Sequence, residues 1–217
     1  REILEHRRII FVSHSSGLYG AERSLIDVAA GLRDRGCQPL VVSPAKGGLK
    51  DALEKLKIPY VVQLHKAWVG HQPRMLRIPY RLLINSWAWW RLSRKLSGHY
   101  DLVYTNTLTK PLGALLASTW NLPHIWHVRE IIEDGLGENY DFGKSRSHRW
   151  VARHSEKVIC NSQAVHNVLS SHVPAKKLQV IYNGLLKVSS PSVAPRFRVQ
   201  VNERPLTLCM EIGRAHV

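Results

Sequence analysis

Cysteine is scarce in this 217-residue chain: Cys37, Cys160 and Cys209 are widely spaced and odd in number. That argues against a disulfide framework and a zinc cluster, and makes a reducing cytoplasm the expected setting. Acidic residues are also few, 16 Asp and Glu against 31 Lys and Arg, which leaves a formal charge of +15 and a pI near 10.1. Such a balance favours anionic partners (phosphate groups, nucleic acid or an anionic membrane face) and is silent on fold. No run approaches the roughly 20 apolar residues of a spanning helix, so a soluble or peripheral chain is expected. The opening REILEHRR carries neither an initiator Met nor an apolar signal region. The remainder, 44% hydrophobic and 22% charged, is ordinary globular composition and excludes disorder or collagen-like repeats.

A prior of roughly 150 residues per domain allows one large domain, or one domain and a fragment. Arg8 to Ser13, RIIFVS, is a short apolar run bounded by small and polar residues and reads as a buried parallel strand. The glycine-bearing turn Ser15 to Gly20 follows, then Ala21 to Arg33 shows helical spacing through Leu25, Val28, Ala29 and Leu32. Gly36 stands just past that helix, where a stop belongs. Pro39 to Ser43 is a second strand, Leu49 to Lys57 a helix and Tyr60 to Val62 a third strand. After a basic insert from His65 to His99 the alternation resumes. Strands are expected at Asp101 to Tyr104, His124 to Val128, Lys157 to Cys160 and Leu178 to Tyr182. Helices fall between them at Lys110 to Trp120, around Ser145 to His154, and at Ser162 to Ser171. About seven strands alternating with helices predict a doubly wound, mostly parallel α/β sheet of Rossmann-like type over residues 1–186.

Residues 187–205 contain Pro191, Pro195 and Pro205 with a serine cluster, and read as an interdomain linker. Residues 206–217 open with Leu206 to Met210, the expected first strand of a second, truncated domain. The final Glu211 to Val217, EIGRAHV, matches the translation of a common sequencing adapter and is expected to be non-native. A native strand and turn is the other reading of these seven residues. The chain is expected to be a fragment.

The opening IIFVSHSSGLYGAERSLIDVAAGLRDRG, the strands DLVYTNT and PHIWHVRE, the segment KVICNSQAV and the closing VIYNGL stand in a familiar order. Together they resemble the N-terminal domain of retaining glycosyltransferases of family four, the group-one transferases with two facing Rossmann-like domains. The resemblance covers nearly all of residues 8–186 and implies a nucleotide-sugar donor and a glycan or lipid-linked acceptor. In that family the other half grips the donor through a basic pair and two glutamates seven residues apart. Those positions have no counterpart here, so the acceptor-side half alone is expected to be inactive.

Three groups of residues carry the candidate chemistry. In the loop from Gly17 to Glu22, Gly17 and Gly20 would let backbone N–H groups approach a ligand, at the positive end of the helix that follows. The third glycine of a dinucleotide fingerprint is missing, and Glu22 stands at the helix start. A plain strand-to-helix turn explains the same residues; the resemblance implies a loop facing the interdomain cleft. His127 closes the strand of Ile125 to Val128, and ligands of open parallel sheets collect at such carboxyl ends. A lone histidine is more often structural, but the resemblance implies a catalytic histidine beside the transferred sugar. Arg129 and Glu130 follow and could grip sugar hydroxyls; a solvated helix start is their plainer reading.

The acidic run Glu130, Glu133, Asp134, Glu138 and Asp141 specifies no paired-carboxylate geometry and reads as a mobile polar loop with Gly135 and Gly137. No metal or other cofactor is expected, because positive groups can stabilise a leaving nucleoside diphosphate. Finally, the insert from His65 to His99 holds seven Lys or Arg, no Asp or Glu, and Trp68, Trp87, Trp89 and Trp90. Within Ile78 to Leu96 the spacing is helical, and Trp87, Trp89, Trp90 and Arg91 are expected to contact an anionic membrane, on its cytoplasmic face. A core-packing helix with a solvated basic face is the alternative. Single-stranded nucleic acid also suits such a composition, but no RNA-binding motif accompanies it.

The leading expectation is therefore a glycosyltransferase half. One alternative is a non-catalytic basic Rossmann-like module for nucleic acid or anionic lipid. Another, an NAD-dependent oxidoreductase, is disfavoured by the incomplete glycine motif and by Ser43-Pro44 where an acid should close the second strand.

Overall fold

The computed structural model describes residues 6–70, 74–96, 100–132 and 139–184, without the side chains of residues 74–76. The expected linker, the strand of Leu206 to Met210, Cys209 and the adapter-like tail lie outside them, as do Glu133, Asp134, Gly135, Gly137 and Glu138. Two units divide the chain, Arg1–Asn183 and Gly184–Val217, and every described strand and helix belongs to the first.

In chain order the elements are β1 (Arg8–Val12), α1 (Gly20–Arg33), β2 (Gln38–Ser43), α2 (Gly48–Lys55), β3 (Tyr60–Val62), β4 (Val69–Gly70) and α3 (Arg74–Lys95). They continue with β5 (Leu102–Thr105), α4 (Leu112–Trp120), β6 (His124–Val128), β7 (Asn139–Tyr140), α5 (Lys144–Arg153), β8 (Lys157–Cys160), α6 (Gln163–Ser170), a 3₁₀ turn (Ala175–Lys177) and β9 (Leu178–Val180). Seven strands form one sheet in the order β3-β2-β1-β5-β6-β8-β9, and every pairing within it is parallel. This is the doubly wound Rossmann-like arrangement that the alternation predicts.

The central strands β1, β5 and β6 bury both faces, which is why these segments read as apolar runs rather than alternating ones. On one face Ile9, Phe11, Val41 and Tyr104 pack against Leu25, Ala29, Leu49 and Leu53 of α1 and α2. On the other, Ile10, Val12 and Val103 meet Ala88 and Leu92 of α3 and Leu112 and Leu116 of α4. Further along that face Trp126, Val128 and Val158 pack with Val151, Val165 and Leu169 of α5 and α6. Helix ends follow local chemistry: Gly36 turns the chain at φ 90° after α1, and Ser162 caps α6 by accepting from the Val165 N–H at 3.3 Å. Gly113 is required by tertiary packing, since a Cβ there would overlap Thr105 Oγ1 of the adjoining strand.

A small second sheet has no signal in the sequence pattern. β4 and β7 pair antiparallel, Val69 with Tyr140 and Gly70 with Asn139. Arg77 and Arg81, one turn apart on α3, clasp Asp141 at 2.9 and 3.1 Å beside it. The helix predicted from Ile78 therefore begins at Arg74, its early turns held by that ion pair.

Candidate functional site at the carboxyl edge of the sheet

Strands β1, β2 and β3 run outward in one direction from β1, whereas β5, β6, β8 and β9 run outward in the other. The crevice between β1 and β5 is therefore the switch point at which ligands of such sheets bind. Two loops meet there. His14, directly after β1, sets its Nδ1 3.2 Å from both Thr107 Oγ1 and Thr109 Oγ1, beyond the end of β5.

The glycine loop is held from within and from behind. The Gly17 N–H donates to Ser15 Oγ at 3.2 Å, and the Leu49 N–H at the start of α2 donates to the Ser16 carbonyl at 3.1 Å. Gly47 permits that approach, because a Cβ there would overlap the Ser16 carbonyl oxygen. The N-cap residue of α1, Tyr19, makes no side-chain cap hydrogen bond, and nothing described lies within 4 Å of the Cβ position of Gly20. Glu22 in the first turn is 1% exposed. Its Oε1 accepts from the Ser15 N–H at 3.1 Å, while Oε2 is buried with no partner among the described residues.

His127 closes β6 on the α1 side of the sheet and is 5% exposed. The Tyr104 hydroxyl and Arg129 Nη2, at 3.1 Å, both approach its Nδ1. Arginine can only donate, and burial pushes the tyrosine up to about 12, so Nδ1 accepts and the proton belongs on Nε2. Burial, helped by the Arg129 charge, holds the imidazole pKa down to about 3, so it is neutral at physiological pH. The Nε2–H is buried and unpartnered among the described residues. It is a donor awaiting an acceptor.

Arg129 organises this edge. It donates to Asn106 Oδ1 at 3.1 Å, Ser24 Oγ at 2.7 Å and Asn183 Oδ1 at 2.7 Å. Asn106, fully buried, donates in turn to the Ala21 carbonyl at 2.8 Å and so ties the β5 loop to the start of α1. Glu130 begins no helix. Its Oε1 accepts from the Thr107 hydroxyl and, at 2.8 Å, from the Leu108 N–H. It is a brace for the β5 loop, as Asp141 is for α3, and the two described ends of the acidic run are thus fixed by partners rather than mobile.

Sequence patterns did not mark His14, Ser24, Asn106 or Lys110. Lys110 is 8% exposed, and burial with the charges of Lys66 and Arg81 lowers its pKa to about 8. Only His14, immediately after an apolar strand, carried a local signal. The others come from segments that read as ordinary strand ends and helix. Among the described residues no group of three or more His, Cys, Asp or Glu could hold a metal ion.

The profile of Glycosyltransferase Family 4 matches residues 19–185. The chain belongs to that family. HepE of Anabaena, solved with UDP and glucose, is similar with a TM-score of 0.60 at 28% identity, over 83% of this chain and 45% of that one. A glycosyltransferase of Rickettsia africae gives 0.57 at 20% identity over 83% and 44%, a likeness of fold. MurG of Acinetobacter baumannii gives 0.50 at 16% over 73% and 42%, likewise of fold. The chain spans less than half the length of these solved proteins. A search of curated proteins finds no match.

The expected membrane contacts lie on α3, away from this edge. Its inward side is Asn85, Ala88 and Leu92; its outward side carries Tyr80, Leu83, Trp87 and Trp90, exposed at 50, 72, 57 and 41%. Trp87 stacks on Trp90 with ring centroids 5.0 Å apart, and Arg94 covers Trp90 at 4.9 Å. Trp89 instead donates to Thr119 Oγ1 of α4 at 2.7 Å, and Arg91 to Gln63 Oε1 at 3.0 Å. The outward face is aromatic rather than a simple solvated basic one. No described helix is long and apolar enough to cross a membrane.

Proposed function

We propose that this chain is the acceptor-side half of a retaining glycosyltransferase that moves a sugar from a nucleotide-sugar donor to a glycan or lipid-linked acceptor. The observation that carries the reading is the pair of buried, unpartnered polar atoms, His127 Nε2 and Glu22 Oε2, at the carboxyl edge of a family-four sheet. A neutral imidazole donating from Nε2 can hold a sugar hydroxyl and orient the anomeric carbon, and the Glu22 carboxylate can accept from a second hydroxyl. Arg129 keeps the imidazole tautomer and ring position. The N–H groups at the start of α1 suit oxygens of the diphosphate or sugar. The leaving nucleoside diphosphate would take most of its positive partners from the second half, with no metal required.

In a longer protein carrying both halves, His127→Ala should lower release of UDP from UDP-glucose about ten- to a hundredfold, the cost of one lost positioning contact. Turnover should fall far more than stability, both read on the same preparation. A purely structural histidine would show the reverse, and near-wild-type turnover would remove His127 from the site. We also propose peripheral contact with an anionic membrane through α3, supported by the exposed stripe of Tyr80, Leu83, Trp87 and Trp90.

A further inference from the structure

A cavity of about 370 Å³ opens between α3, α4 and α5, and sugar transfer at the strand ends leaves it unused. Its floor includes Trp68 and Ser147, both buried, and its walls are Ile78, Leu115 and Trp150. The exposed members of the lining, Leu82, Ser86, Phe142 and Arg146, mark the mouth. Such a volume lies within the range of small-ligand pockets. Its apolar walls suit an apolar occupant, and its polar residues lie mainly at the rim.

The rim selects the occupant further. Asp141 is its one acid, and Arg77 and Arg81 already pair with it at 2.9 and 3.1 Å. Arg146 adds a cation with no hydrogen bond or ion pair among the described residues, leaving the rim net positive. At the floor, the Ser147 hydroxyl is buried and unpartnered among the described residues. An apolar body under a cationic rim fits an aliphatic chain whose headgroup carries phosphate. Round the helix from Leu82 and Ser86 come Trp90, Leu83 and Trp87, so the mouth adjoins the outward apolar stripe of α3. A chain leaving a bilayer held against that stripe would enter directly.

We propose that this cavity binds the aliphatic chain of a phosphate-bearing membrane lipid, with the phosphate at Arg146 on the rim. The inference deepens the lipid-linked side of the acceptor reading and rests on it only for its purpose; chain binding is measured without any sugar transfer.

The test uses the 217-residue chain titrated calorimetrically with dodecyl phosphate below its micelle concentration, with dodecyl maltoside and inorganic phosphate as the other arms. Saturable one-site binding of dodecyl phosphate is expected, with dodecyl maltoside roughly tenfold weaker and inorganic phosphate unable to compete at the same concentration. Ser86→Trp, which plugs the mouth from an exposed position, and Leu115→Trp, which fills a wall, should each weaken binding about tenfold. Arg146→Glu should weaken dodecyl phosphate and spare the maltoside, while Asp51→Asn on α2, packed on the other face of the sheet, should leave both titrations unchanged. Affinity indifferent to Ser86→Trp in a variant of unaltered melting temperature overturns the proposal. So does equal affinity for inorganic phosphate, which would show an anion site without a chain pocket. Lost UDP-glucose turnover in His127→Ala bears on the transfer reading alone.

Discussion

Residues at the carboxyl edge are controlled by burial more than by their own chemistry. His127 shares its fate with two histidines elsewhere in the sheet region. His65 is held down to about 4, by burial first and then by Lys110. His124 is also held down to about 4 by burial, with Thr105 Oγ1 and the His154 carbonyl each 2.8 Å from its ring. All three fold neutral. Their folded values lie below the ordinary 6.5, so the unfolded chain binds the extra protons, and stability falls as pH drops from 6.5 towards 4, and towards 3 for His127. Above 6.5 this contribution is complete and flat. Each histidine adds about 1.4 kcal/mol per pH unit in that window. Urea unfolding between about pH 7 and 4.5 should show this slope, and His124→Gln should reduce it by about one proton; an unchanged slope would mean that His124 is not buried neutral. Lys110 acts in the alkaline range with the same sign of slope: its lowered value makes folding gain stability as pH rises from about 8 to 10.5. None of these neutral states is readable from residue type, because they depend on which chain segments exclude water.

At the scale of elements, α3 shows how far periodicity reaches. The helix and its tryptophans were legible; their directions were not. Trp87, Trp89, Trp90 and Arg91 are all exposed, and Trp89 and Arg91 also find partners in Thr119 and Gln63. Tyr80 and Leu83, not expected at this surface, complete the stripe. Binding to phosphatidylglycerol vesicles should therefore fall for Trp87→Ser and for Trp90→Ser more than for Trp89→Ser, and should weaken as salt screens the basic residues. Sedimentation at low and high salt measures this. Equal binding to phosphatidylcholine vesicles, insensitive to salt and to these changes, would leave α3 a packing element only.

For the whole molecule, the chain's length against its solved relatives sets the expectation. A half-length chain whose carboxyl edge offers His127, Glu22 and Arg129 should give no measurable transfer from UDP-glucose by itself, and should bind UDP-glucose more weakly than micromolar. Calorimetry on the 217-residue chain checks this, and micromolar affinity would show that the donor contacts lie within it. The strand–helix alternation, the parallel sheet and the placing of His127 at a strand end follow from the sequence alone, since local apolar runs and glycine stops record burial segment by segment. Only the tertiary structure decided that β5 pairs with β1, so that His14 meets Thr107 and Thr109 across more than ninety positions. It also decided that β4 pairs with β7, that Glu130 and Asp141 are braces, and which side of α3 meets solvent. The reason is physical: periodicity reports how much of each segment is buried, whereas pairing, proton placement and charge neutralisation depend on partners distant in the chain.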